Sequence, residues 1–390
     1  MALERGQGFS LGCDTIKKRW LFPMNQTFKF KDEQDLAGFV QECVDPVFIT
    51  GGQTRGVDLK HDRVDMTGLS GIVDYEPGAL TMVAKAGTTL QHIEDVLKAE
   101  GQQLAFEPTI LNTALGTSGA STIGGVFATN ASGPRRIQAG AARDFLLGVQ
   151  YVDGHGNVIK NGGRVMKNVT GYDIVKLMAG SWGTLGLLSE MSFKVLPMPA
   201  AQATLVISGI NADVSVDVMT ASLNTAFDVS GVAYDIAAQR AYVRLEGFEQ
   251  SVKYRTKSLM EILGVQRDIS VYEDAESGNV WSNIRMLSAI SSQRGDLWKI
   301  SVRPTDGPQI VQKLGLASGI IDWSGGLIWA KLDAGKMACD ILGDISGHAI
   351  NLSARAGLKF SNINPALTHL QGAIREKFDP KGIFNPGLMG

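Results

Sequence analysis

Apolar residues recur along this chain in two rhythms, one helical and one that alternates or runs unbroken for a few residues. Leu36, Phe39, Val40 and Cys43 stand at i, i+3, i+4 and i+7, which predicts an amphipathic helix over 32–43 with Asp32 as its N-cap. The unbroken run Val47-Phe48-Ile49-Thr50 reads as a short buried strand that breaks directly into the loop Gly51-Gly52-Gln53-Thr54-Arg55-Gly56. A second strand is predicted at 80–86, followed by a helix with Leu90, Ile93, Val96 and Leu97 on one face and Gly101 as its stop. The runs 146–152 and 158–159 flank Asp153-Gly154-His155-Gly156-Asn157, the pattern of a β-hairpin. A glycine-rich segment, 180–186, precedes a strand over 187–195, and Pro197 and Pro199 then punctuate the chain.

Beyond Pro199, strand-like runs at 204–208, 232–236, 241–245, 298–302 and 327–332 are interleaved with amphipathic stretches such as 251–263, which predicts an α+β region. The last sixteen residues, 375–390, read as a helix end followed by turns around Pro380 and Pro386. The expected organisation is an extension over 1–23, a first domain over 24–199, an α+β domain over 200–354 and a C-terminal segment over 355–390. The extension lacks the apolar core of a signal peptide. It reads as a loosely attached arm, a short structured extension, or a segment ahead of a true start near Met24.

The stretch 108–133 departs from both rhythms. It holds no charged residue and is mostly Gly, Ser, Thr, Ala and Asn, with Ile110, Leu111, Leu115, Ile123, Val126 and Phe127 as apolar anchors. Glycines and hydroxyls make poor lipid-facing surface, and the anchors argue against a linker. What remains is a small-residue wall where the backbone comes close to something large.

Charge narrows the classes. With 37 basic and 39 acidic side chains the formal charge is −2, so no bulk electrostatic case exists for nucleic acid. Three cysteines, Cys13, Cys43 and Cys339, argue against a disulfide framework and suit a reducing, cytoplasmic setting. No run of about eighteen apolar residues predicts a membrane span. The five histidines stand apart with no metal-ligand spacing, so no metal site is expected.

Neither G-x-G-x-x-G after a strand nor G-x-x-x-x-G-K-[ST] is present, which removes Rossmann and P-loop readings. Three separated glycine clusters, at 51–56, 116–133 and 180–186, suit instead an extended dinucleotide held by backbone N–H groups. In their order the motifs Thr50-Gly51-Gly52-Gln53-Thr54, Ser121-Thr122-Ile123-Gly124-Gly125, Asn130-Ala131-Ser132-Gly133, Arg143-Asp144, Leu147-Gly148, Asp153-Gly154, Lys167-Asn168 with Gly171-Tyr172-Asp173, and Gly180-Ser181 with Gly183-Thr184-Leu185-Gly186 resemble the FAD-binding domain of the vanillyl-alcohol oxidase (PCMH) type. Further on, Leu297-Trp298-Lys299-Ile300-Ser301-Val302, Trp323-Ser324-Gly325-Gly326, Gly347-His348-Ala349 and the run 378–387 (FDPKGIFNPG) are similar to FAD-binding subunits of bacterial glycolate oxidase.

The resemblance implies a two-subdomain PCMH-type FAD-binding domain, an α+β cap domain for substrate, and a C-terminal segment returning to the flavin domain. Flavin contacts would come from Thr50, Gly51, Gly52, Gln53, Thr54 and Arg55, and from Gly116, Ser121, Thr122, Gly124, Gly125, Asn130, Ser132 and Gly133. Gly186, Leu187 and Asn385 complete the set. The first loop carries Gln53 and Thr54 and the second has no cysteine, so the FAD is expected to be non-covalent. Oxidation of glycolate, a 2-hydroxy acid, to glyoxylate needs a base and a cation for the carboxylate. His348 is the candidate base, with a half-buried histidine bonded to backbone as the alternative, and Arg303 and Arg355 are candidate carboxylate clamps. The implied partners are a second FAD-binding catalytic subunit and an iron–sulfur subunit, with any membrane contact peripheral and through them. A self-sufficient oxidase of another alcohol or hydroxy acid, or a non-catalytic assembly subunit, stays open at this point.

Overall fold

A computed structural model describes residues 26–164, 171–264, 267–353 and 365–389. The extension at 1–23, the Lys167-Asn168 motif and Arg355 lie outside the described residues.

The first half is built from two larger sheets and one two-stranded pair. β1 (Thr27–Lys29), β2 (Val47–Thr50) and β3 (Asp62–Asp65) form a small parallel sheet in the order β1-β3-β2. The helix Glu33–Glu42 covers it, because Leu36 and Val40 share its inner face; its first turn is held by the Asp32 carboxylate, which accepts from the Asp35 N–H at 2.8 Å. There follow β4 (Ile72–Glu76), β5 (Thr81–Lys85), β6 (Gln102–Gln103), β7 (Leu146–Val152), β8 (Val158–Gly162), β9 (Leu187–Lys194) and β10 (Leu196–Pro197). Five of these make an antiparallel sheet in the order β4-β5-β9-β7-β8, with β7 and β8 as the hairpin, while β6 pairs with β10.

The second half contributes one antiparallel sheet of eight strands: β11 (Ala201–Ser208), β12 (Gly231–Asp235), β13 (Arg240–Gly247), β14 (Asp268–Glu273), β15 (Asp296–Val302), β16 (Ile320–Asp322), β17 (Leu327–Leu332) and β18 (Gly347–Asn351). Their order is β14-β11-β13-β12-β16-β17-β15-β18. Alternation along a strand sends successive side chains to opposite faces. Trp298 and Ile300 of β15 join the core under the helices Ala212–Leu223, Glu249–Leu263 and Gly307–Leu314. Leu297 points the other way, into a core that also holds Trp329, Ile350, Leu111, Ala114 and Leu388. That second face is therefore turned toward the first half of the chain.

The C-terminal residues lie against β2. The Val47 N–H donates to the Ile383 carbonyl at 2.8 Å, and the Asn385 N–H donates to the Val47 carbonyl at 3.1 Å. Lys381 Nζ donates to the carbonyls of Val40, Gln41 and Cys43, where the first helix ends. No described helix is long and apolar enough to cross a membrane.

Candidate functional site

Because β2 ends in Gly51-Gly52, the first loop turns sharply at a strand end, and it does so against the second glycine segment. A Cβ on Gly52 would stand 1.6 Å from the Ala120 carbonyl oxygen, and one on Gly119 would stand 1.7 Å from the Gly52 oxygen. The two loops touch backbone to backbone, so part of the closeness expected of this wall is between protein segments. Gln53 has φ 53°, and among the described residues the N–H groups of Gly52, Gln53, Thr54 and Arg55 donate to no protein acceptor. Consecutive unengaged N–H groups next to a left-handed residue form a concavity suited to an anion such as a diphosphate.

This loop lines a cleft. Thr50, Gly51, Gly52, Gln53, Thr54, Arg55, Thr122, Gly124, Gly125 and Asn385 line it, as does Gly186 from the third glycine segment. Thr122 caps the helix Ile123–Ala128, its Oγ1 accepting from the Gly125 N–H at 3.3 Å. Ser121 stands one step behind, its hydroxyl 3.0 Å from that of Thr54. The Asn385 side chain is spent on structure: Oδ1 accepts from the Ile49 N–H and Nδ2 donates to the Trp182 carbonyl, both at 2.8 Å.

Other candidates stand elsewhere. Leu187 is buried among Leu36, Val152 and Phe384, and it is Leu188, the next residue on the opposite face of β9, that lines the cleft. Asn130, Ser132 and Gly133 make a junction instead of a cradle. Asn130 Oδ1 accepts from the Arg143 N–H, the Ser132 hydroxyl accepts from the Ala142 N–H, and the Gly133 carbonyl accepts from Trp323 Nε1 at 3.0 Å. Gly116 takes φ 66° to end the short helix Asn112–Leu115. Arg303 is exposed and paired with Asp306 at 2.8 Å.

The second face of the large sheet adjoins the loops: Val57, Trp182 and Leu388, which line the cleft, pack against the core that holds Trp329 and Ile350. His348 lies on β18 beside Ser301 of β15, and Lys299 sits two residues along on the same face. Lys299 Nζ is 5.6 Å from the ring centre of Trp323 and 5.8 Å from that of Trp329. Arg136, which follows the neutral stretch, places its guanidinium carbon 4.4 Å over the same Trp323 ring. Burial, with Arg136 and Arg55, lowers the Lys299 ammonium to a pKa of about 8. Desolvation, with Lys299 and Arg136, likewise holds His348 below the ordinary histidine value, so its ring is neutral and able to accept a proton at neutral pH. Arg55 donates from Nη1 to the Thr109 carbonyl at 3.0 Å, whereas its buried Nη2 has no partner. Burial, with the nearby Arg285, brings its pKa down to about 10.

Lys299 and Arg136 were not among the site candidates read from the sequence. The signal for Lys299 was a lone charge inside an apolar strand, and for Arg136 its place at the exit of the neutral wall. A second group of charges lies close by. Arg244 holds Glu107 with both terminal nitrogens at 2.9 Å, and Arg135 bridges Glu107 and Glu246. These contacts tie the loop before the neutral wall to β13. No cluster of metal-ligating side chains occurs among the described residues.

A family model described as an FAD binding domain matches residues 25–162. The glycolate oxidase subunit GlcE of Escherichia coli (strain K12) is 34% identical over 349 residues, which cover 88% of this chain and 92% of that protein. The glycolate oxidase subunit GlcD of Bacillus subtilis (strain 168) is 41% identical over only 85 residues, 22% of this chain and 18% of its own length. Among solved structures, p-cresol methylhydroxylase with substrate bound superposes with a TM-score of 0.66 at 15% identity, covering 93% of this chain and 88% of that one. An alkyldihydroxyacetonephosphate synthase gives a TM-score of 0.64 at 17% identity, covering 92% and 76%. At such identities these structures establish the fold, which is the PCMH type.

Proposed function

Since the chain belongs to the FAD-binding glycolate oxidase subunit family of GlcE and is an FAD-linked oxidoreductase by its relatives, we propose that it takes part in oxidising glycolate, or a similarly short 2-hydroxy acid, to the 2-oxo acid within a multi-subunit complex. One observation carries this reading. The loop with unengaged N–H groups lines a cleft that adjoins, through Trp182 and Leu388, the core on the sheet face that carries Lys299 and His348.

The residues fit FAD. The N–H groups of 52–55 and the hydroxyls of Thr54 and Thr122 would hold its diphosphate, and Gly124, Gly125 and Gly186 line the cleft beside them. Gln53 and Thr54 offer no usual attachment atom, so the cofactor is held without a covalent bond. The chemistry that FAD supplies when bound is acceptance of a hydride. On the protein side, the neutral His348 imidazole takes the hydroxyl proton as the substrate's α-carbon gives up that hydride, leaving the 2-oxo acid. The electrons would leave through partner subunits, for which we propose a second flavoprotein and an iron–sulfur protein.

The test is anaerobic addition of glycolate to the chain alone, to the assembled complex, and to a complex carrying His348→Ala. Flavin reduction in the complex that slows by about 10²-fold or more in the variant is the expected result. Unchanged reduction by the variant would place oxidation elsewhere in the complex, and full reduction of the isolated chain would make the partners unnecessary to that step.

A further inference from the structure

The cations beside the cleft are not balanced by paired carboxylates among the described residues. Among the described residues, Lys299 and Arg136 form no ion pair and no side-chain hydrogen bond, and Arg55 keeps a buried nitrogen unpartnered. Asp144 favours the charge on Arg136 while Arg143 opposes it, and burial outweighs both in lowering the Arg136 pKa. Like charges gathered in a half-buried place repel, and each has lost part of its water. The Trp323 and Trp329 rings return only part of this, since a cation over an aromatic face gains about 0.5–2 kcal/mol.

The arrangement is nonetheless held firmly. Trp323 sits at φ 53°, its indole N–H donates to the Gly133 carbonyl, and its backbone N–H donates to the buried Asp322 at 2.7 Å. One fixed ring thus has two cations near it that come from different halves of the chain, Arg136 after the neutral wall and Lys299 on β15. Such a pair, beside a cleft lined by Arg55, whose buried Nη2 is unsatisfied, lacks one component: an anion.

We infer that Lys299 and Arg136, gathered at Trp323 and backed by Arg55, form the site that binds the carboxylate of the short 2-hydroxy acid. The inference rests on the reading of this cleft as an oxidation site and assigns its substrate-orienting group. The carboxylate takes N–H donors from the ammonium and the guanidinium, with which charge-assisted bonds are strongest. His348, two positions along the same sheet face, is then on the side of the hydroxyl. Arg303, exposed and already paired with Asp306, takes no part.

The FAD-loaded protein is titrated with oxalate, a carboxylate that cannot be oxidised by hydride loss, and with inorganic phosphate, following tryptophan and flavin fluorescence. Lys299→Met and Arg136→Met are each expected to weaken oxalate binding by roughly 10–100-fold, as loss of a charged hydrogen bond does. Lys299→Arg is expected to restore most of it, Arg303→Met to leave it unchanged, and FAD content to stay constant in all four. Oxalate affinity that survives both methionine variants would overturn the assignment. So would loss of FAD in place of oxalate, which would give these cations to the flavin phosphates, or phosphate binding as tight as oxalate. Oxalate binding that depends on Lys299 in a protein whose flavin glycolate does not reduce would keep the site and discard the oxidation.

Discussion

Two groups of charges lie between the halves of this molecule, and they are built on opposite plans. In one, Arg135 and Arg244 meet Glu107 and Glu246, two cations to two anions, with the Arg244–Glu107 pair bidentate and the Arg244 guanidinium 4.4 Å over the Trp281 ring. In the other, Arg136 and Lys299 gather at Trp323 beside the cleft loop that carries Arg55, with no carboxylate paired among the described residues. Both use arginine, tryptophan and burial. Only the balance of sign differs, and that balance separates a clasp that joins two layers from a site that accepts an anion.

Breaking the balanced group should have the largest effect. Glu107→Gln leaves Arg244 buried without its partner, and about 3–5 kcal/mol of unfolding free energy should be lost, read by denaturant titration. Burial opposes ionisation of Glu107, yet Arg244, Arg135 and Arg285 together hold its pKa below the ordinary glutamate value. A carboxylate depressed in the folded state stabilises above its unfolded pKa, so this contribution should fade as pH falls through the acid range. Lys299→Met should behave in the reverse sense: stability equal to the wild type or higher, because a repelled cation is removed, and carboxylate affinity lower by roughly tenfold or more. Equal destabilisation by both substitutions would erase the distinction.

The smallest effect is expected at Asp322, which adjoins both groups. Burial, with Glu107, raises its pKa to about 7 although the Trp323 N–H and Arg244 favour its charge. An acid raised in the folded state stabilises while protonated, and that stability is lost as pH rises through about 7. Asp322→Asn keeps the acceptor for Trp323 and cannot ionise. A gain near pH 8, shrinking toward pH 5, should appear in thermal melts.

Much of the flavin half was legible in the sequence because its signals are local. An apolar run that ends in Gly51-Gly52 announces a strand and its turn, and Asp32 before a helical pattern announces a cap. The glycines themselves were harder to interpret. Gly52 and Gly119 are required by the contact between two loops, which a sequence cannot distinguish from contact with a ligand. Leu187 and Leu188 look alike in a strand, and only the position of the core decides which of them meets the cleft. β3 was not anticipated, since Asp62–Asp65 offers a single apolar residue, nor was β18, which opens on Gly347-His348. The cations were least legible. Arg303 and Arg136 are equivalent on paper, and what separates them is that Asp306 lies three residues from one while Trp323, far along the chain, lies under the other.

The most direct test of the unbalanced group is the pH dependence of oxalate affinity in the FAD-loaded protein. Lys299 faces Arg136, Arg55 and His348, and burial with the two arginines brings its pKa to about 8. A cation that must be present for binding predicts steady affinity below about pH 8 and a fall approaching tenfold per pH unit above it, absent in Lys299→Met. Affinity that stays level through about pH 9 in the wild type, or a fall of equal size in the variant, would contradict the account.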